Sequence, residues 1–154
     1  MTWTIRPMRA GDGGEMMRLH HRAIMATHED YYSVEQRRSW AFGLEPGQYK
    51  VPENGHFDVV EANDVVIAFC DHTLDEVIGL YIDPAWQGRG IGTALMQQAE
   101  TRMIAAGSRI ARVHSALSSQ SFYERQGFVE VERTQHRTRG GLLLPSVRLQ
   151  KSIG

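Results

Sequence analysis

Apolar residues change their spacing several times along the chain, and each change marks a new element. Alternation in "TWTIRPM", with Trp3, Ile5 and Pro7 between polar neighbours, predicts a first strand. The period then lengthens: Met16, Leu19, Ala23 and Ala26 recur at three or four, predicting a helix from about Gly13 to Thr27, with Asp12 and Glu15 spaced like a capping box. Ser33 and Gln36 repeat that start signal and the pattern stops at Gly43, so "SVEQRRSWAF" predicts a short helix. "EPGQYKVPENG", with two prolines and two glycines, reads as a loop.

"HFDVVE" and "VVIAFCD" flank the turn formers Asn63 and Asp64 and predict a hairpin. "EVIGLYI", closed by Asp83-Pro84, is an almost unbroken apolar run and predicts a strand buried on both faces. From Ile91 the apolar residues Ala94, Leu95, Ala99, Met103 and Ala106 trace a helix, and Gly107 falls where a helix C-terminus wants a left-handed residue. "RIARVHSAL" predicts a strand and "SSQSFYERQ" a serine-capped helix stopped at Gly127. "FVEVERTQ" and "LLPSVRLQ" predict two strands around Gly140-Gly141. The order β-α-α-β-β-β-α-β-α-β-β points to an α/β fold, and no internal repeat interrupts it.

Composition narrows the picture. A chain of 154 residues, 42% hydrophobic and 23% charged, is expected to form one domain over residues 1–154. A net charge of −1 carries no strong nucleic-acid signal. Charged residues through the first twenty positions, and no apolar span of bilayer length, predict a cytoplasmic protein with no membrane partner. Cys70, the one cysteine, sits in an apolar run and reads as a buried small hydrophobe. Seven histidines invite a metal, but His20 and His21 are adjacent and no H-E-x-x-H occurs, so no metal site is expected.

The candidate chemistry lies in "DPAWQGRGIGTALMQQAE", where Gly88, Gly90 and Gly92 link a strand to a helix. Such a turn leaves backbone N–H groups without helical partners and unshielded by side chains, at the positive end of the helix dipole, so it suits a phosphate. Two phosphate-binding patterns fail. Thr93 stands where the dinucleotide fingerprint needs its third glycine, and no Gly-Lys-[Ser/Thr] ends the run as in a Walker loop.

Gln87-Gly88-Arg89-Gly90-Ile91-Gly92 resembles the [RQ]-x-x-G-x-[GA] signature of the GNAT superfamily of acyl-CoA-dependent N-acetyltransferases, and Ser121 to Phe128, "SFYERQGF", resembles its second block. "RAIMATHEDYYSVEQRRSW" is also similar to an uncharacterised bacterial subgroup. The resemblance implies a single-domain GNAT fold, a mixed and mostly antiparallel sheet of six to seven strands flanked by about four helices. It implies acetyl-CoA as cosubstrate, with pantetheine beside Leu80, Tyr81 and Ile82 and pyrophosphate on Gln87, Gly88, Arg89, Gly90, Ile91, Gly92 and Thr93. Ser118 replaces the family's asparagine and keeps a hydroxyl for the same contact. Tyr123 aligns with the general acid near the thiol, the Ile82 N–H with the oxyanion donor, and Glu76 with the base of one branch; His114 and His72 are rival bases.

The implied reaction is acetyl transfer to a primary amine by direct attack in a ternary complex, on a small-molecule or peptide acceptor; a homodimer is compatible with it. An acyl-CoA-binding regulatory module without turnover, or a protein or aminoacyl-tRNA acetyltransferase, are the alternatives. For the acceptor the signals conflict. "THEDYYSVEQRRSW" gathers Glu29, Asp30, Tyr31, Tyr32 and Trp40, fit for a cation, whereas Arg133, His136, Arg137 and Arg139 in the last hairpin suit an anion.

Overall fold

The computed structural model describes residues 2–154. Its strands are β1 (Thr4–Pro7), β2 (His56–Ala62), β3 (Val65–His72), β4 (Glu76–Ile82), β5 (Ile110–Ala116), β6 (Val129–Arg137) and β7 (Leu143–Ser152); its helices are α1 (Gly13–Met25), α2 (Val34–Ala41), α3 (Ile91–Ala105) and α4 (Gln120–Arg125). All seven strands join one sheet in the order β1-β2-β3-β4-β5-β7-β6. Every pairing is antiparallel except β4 with β5, which α3 connects by a crossover. This is the mixed, mostly antiparallel α/β sheet with four helices that the resemblance implies.

Helices cover both faces. On one, Ile91, Leu95, Met96 and Met103 of α3 and Tyr123 of α4 bury against Val60, Ala68, Cys70, Val77 and Val113. On the other, Met16 and Leu19 of α1 pack on Phe57, Val59, Val66 and Phe69. The hairpin between β2 and β3 turns on Asn63 and Asp64, both left-handed (φ 52 and 63), which asparagine and aspartate tolerate best. Ser33 and Gln36 form the expected capping box, at 3.1 and 2.8 Å.

Three local expectations are corrected. Asp12 does not cap α1; its own dihedrals are helical, and both its oxygens take Arg6 at 2.9 Å, a charge-assisted pairing stronger than a neutral cap. Glu15 turns instead to the sheet and accepts the Val66 N–H. Nor does a serine cap α4, because a 3-10 turn over Leu117–Ser119 leads the chain into it. Finally, β4 is not buried on both faces: only Val77 is, and Ile78 is half exposed. Its neighbour β5 leaves it after two residue pairs, and that departure creates the site.

Candidate active site

Strands β4 and β5 pair only at Glu76 with Arg112 and Val77 with Val113, then diverge. Just there β4 carries a bulge: Asp71 lies opposite Gly79 but His72 opposite Val77, leaving Ile78 without a partner. Since opposed residues share a face, the bulge inverts the alternation and puts Glu76 on the same face as Gly79 and Tyr81, while Val77, Leu80 and Ile82 face α3. The backbone direction follows too. Asp83 donates its N–H to the Ile67 carbonyl at 2.8 Å, so Tyr81, two residues earlier, also turns its peptide groups toward β3. Leu80 and Ile82 therefore present their N–H and C=O to the gap that β5 has vacated. Of the three expected pantetheine contacts, Tyr81 has its backbone engaged within the sheet.

The gap opens on a cavity of about 320 Å³ bordered by β4 from Glu76 to Tyr81, β5 from Val113 to Ala116, and Ser119 and Tyr123. Tyr32, Trp40, His136, Leu144 and Ser146 form the facing wall. Arg112 shares the Glu76 face and His114 shares that of Arg112, so His114 is the first side chain past the fork on that face. Its Nε2 lies 2.7 Å from the Ser146 hydroxyl. Burial, then the Arg148 and His136 charges, lower its pKa and favour the neutral ring. Tyr123 is buried between Phe122 and Phe128, at 5.1 and 5.6 Å between ring centres, and burial raises its pKa, so the phenol stays protonated. His72 lies elsewhere: it is buried on the α3 face, with Nδ1 2.8 Å from the Thr73 carbonyl and its other ring edge toward the Arg102–Asp58 ion pair.

Beyond β4 the chain reaches α3. Gly88 and Gly90 are left-handed (φ 75 and 79), and a Cβ on either would meet nothing within 4 Å. Ala94 makes the first intrahelical bond, to the Gly90 carbonyl at 3.0 Å, which leaves the N–H groups of Ile91, Gly92 and Thr93 without helical partners. No side chain caps this end. The Arg89 guanidinium stacks on Trp86, 4.5 Å from the ring centre. Gly92 has another duty: a Cβ there would stand 2.9 Å from Phe122 Cε1, so its bareness lets α3 close on α4. The Ile91 side chain is core, and the Thr93 hydroxyl is engaged by Gln126 at 3.0 Å, so both offer only backbone N–H groups to a ligand. Ser119, rather than Ser118, borders the cavity.

The family model of the acetyltransferase (GNAT) domain matches residues 53–130, from the β2 hairpin through the fork, the glycine turn and α4. The chain belongs to the GNAT family. An uncharacterized N-acetyltransferase of Methanocaldococcus jannaschii is 30% identical over 145 residues, covering 85% of this chain, which itself spans 62% of that relative's length. Among solved structures, a GCN5-related N-acetyltransferase (aminotransferase, class-II) from Rhodopseudomonas palustris superposes with TM-score 0.91 at 23% identity, over 99% of this chain and 97% of that one. The PaiA N-acetyltransferase of Thermoplasma acidophilum, solved in complex with coenzyme A, has TM-score 0.73 at 20% identity over 99% of each chain. YncA of Salmonella typhimurium, solved with acetyl-CoA, has TM-score 0.66 at 17% identity over 100% and 95%. At such identities the likeness is one of fold.

Within this GNAT fold the two segments expected to hold the acceptor do meet over the cavity, but few of their charges do. Of the first, Tyr32 and Trp40 reach it. The Tyr32 hydroxyl donates to the Pro145 carbonyl at 2.6 Å and accepts the Leu117 N–H at 2.9 Å, tying that segment to the far strands. Glu29, Asp30 and Tyr31 stay exposed. Of the second, only His136 enters, joined by Leu144 and Ser146. Ser146 and Ser119 were not singled out by sequence reasoning: Ser146 reaches the cavity through the β5–β7 register and Ser119 through the 3-10 turn that leads into α4, and no local pattern carries either. Among the described residues no cluster of metal-binding side chains occurs, and no helix is long and apolar enough to cross a membrane.

Proposed function

We propose that residues 1–154 act as one N-acetyltransferase domain that moves acetyl from acetyl-CoA to a primary amine. The observation that carries this reading is the fork: two peptide groups, at Leu80 and Ile82, are freed by strand divergence beside an uncapped α3 N-terminus. Crystallised GNAT relatives with coenzyme A or acetyl-CoA support the choice of cosubstrate. Bound acetyl-CoA supplies an activated thioester. Leu80 and Ile82 pair with its pantetheine amides as an added strand would, and the N–H groups from Gln87 to Thr93, with Arg89, meet the pyrophosphate. The hydroxyl expected from Ser118 falls instead to Ser119, the serine that borders the cavity.

The amine nitrogen attacks directly: its N–C bond forms, the C–S bond breaks, and the electron pair leaves on sulfur. Glu76 takes the proton the amine must lose, and neutral His114 is the second group placed to do so. Tyr123 donates to the departing sulfur. The Ile82 N–H was expected to meet the carbonyl oxygen as it gains charge; Leu80, whose N–H has the same direction and which borders the cavity, is the better placed donor. Calorimetric titration with acetyl-CoA, and thiol release against a panel of amines, test the reading. Acetyl-CoA binding with amine-dependent thiol release is expected; no acetyl-CoA binding would overturn it, and binding without turnover would favour a regulatory module.

A further inference from the structure

The lining of the cavity is uneven in charge. Tyr81 on β4 and Tyr32 and Trp40 on the facing wall line it with rings, and Glu76 is its one carboxylate; no lysine or arginine belongs to it. The arginines nearest on the sheet are each matched by a carboxylate: Arg148 by Glu132 at 3.2 Å, Arg133 by Glu130 at 3.1 Å, and Arg112 by Asp75. Those of the last hairpin are held away, Arg137 on the Gly141 carbonyl at 2.9 Å and Arg139 on the Gly43 carbonyl at 2.8 Å. The rings pack on one another: Trp40 meets Tyr32 edge-on with centroids 5.7 Å apart and lies 6.4 Å from Tyr81. His114 is turned to Ser146 and is held neutral by burial and by Arg148.

Resting on the acetyl-transfer reading, we propose that the acceptor is a small primary amine on an aromatic body, with no carboxylate beside its amino group. An ammonium group is drawn toward Glu76, and an aromatic body packs edge or face against Trp40 and the two tyrosines. An α-amino acid would bring its own carboxylate beside Glu76 with no uncommitted cation to meet it; like charges a few ångströms apart in a partly desolvated cleft repel. The cavity of about 320 Å³ is at the small end for ligand sites and also takes the thioester end between Leu80 and Tyr123, so the room left suits a small body, one or two rings at most.

Phenethylamine and phenylalanine differ by that carboxylate alone and make the test. Calorimetric titration of the full chain, with and without saturating CoA, is expected to show phenethylamine binding at least tenfold more tightly than phenylalanine. Glu76→Gln should weaken phenethylamine about tenfold and close the gap, and Trp40→Leu should weaken it without closing the gap, thermal melts showing that both variants fold. Equal or tighter binding of phenylalanine overturns the proposal. So does a gap that survives Glu76→Gln, or no phenethylamine binding in the presence of CoA. Thiol release from acetyl-CoA with the same two compounds separates this from the reading beneath it. Phenethylamine that binds as expected but releases no thiol sinks acetyl transfer and leaves the ligand class standing; release favoured by phenylalanine does the reverse.

Discussion

Gly90 and Gly92 stand two residues apart and serve different ends. At Gly90 the requirement is conformational: with φ 79 and open space beyond, a side chain would strain the turn and stand in the proposed pyrophosphate site. Gly90→Val should therefore cost about 1–2 kcal/mol of stability, read from urea unfolding, and at least tenfold in acetyl-CoA affinity, read by calorimetry. At Gly92 the requirement is room. A Cβ 2.9 Å from Phe122 forces α3 and α4 apart, so Gly92→Ala should lose roughly 1–3 kcal/mol in the same unfolding measurement. The spacing of the glycines showed a turn that needs bare backbone; it did not show which glycine faces open space and which faces Phe122, thirty places down the chain. Tyr123 illustrates the same limit in reverse. Its motif marked it as a candidate acid, and its position at the cavity beside Phe122 and Phe128 makes Tyr123→Phe informative. The substitution keeps the packing and removes only the hydroxyl, so it should lower kcat at least tenfold while acetyl-CoA affinity stays within about twofold.

Elements in this chain begin and end where local chemistry says they should, yet what they expose depends on their neighbours. The run "EVIGLYI" does form β4, but its peptide groups at Leu80 and Ile82 are free only because β5 has left, and Glu76 shares a face with Tyr81 only because Ile78 bulges. Composition cannot distinguish such a strand from one buried on both faces, since both are continuously apolar. The segment joining α1 to α2 is likewise held by one long-range device, the Tyr32 hydroxyl, which serves Pro145 on β7 and Leu117 before α4. Tyr32→Phe leaves a carbonyl and an N–H short of a partner in a largely buried place. A loss of about 1–3 kcal/mol in unfolding free energy is expected, together with weaker acceptor binding and unchanged acetyl-CoA binding.

At the scale of the whole molecule, two buried groups near the α1 face make opposite demands on pH. His20 has Nε2 buried without a partner, and burial, aided by Arg139 and His21, lowers its pKa to about 4. The unfolded chain binds that proton below about pH 6.5 and the folded chain only below about 4, so this contribution to stability is present above 6.5 and lost as pH falls through that window. Asp71 is the reverse. Burial, opposed by hydrogen bonds from its own and the Gly79 N–H groups, raises its pKa to about 6, so the folded chain holds this proton longer and stability falls as pH rises from about 4 to 6. The two trends offset each other in one window. Asp71→Asn should expose the histidine's: relative to the parent, its unfolding free energy should rise by roughly 3 kcal/mol more between pH 4 and 6.5, measured by urea titration at each pH. A parent and variant with parallel profiles would show that Asp71 titrates normally. The sequence by itself determined the element order, the two GNAT motifs and the glycine turn, because periodicity, capping and backbone freedom act over a few residues. Only the tertiary structure decided that β4 and β5 part after Val77, that Glu76, His114 and Tyr123 converge on one cavity, and that of the acidic and basic stretches only Tyr32, Trp40 and His136 border it. Those outcomes depend on where pairing ends and on a one-residue bulge, and both are set by contacts between segments far apart in the chain.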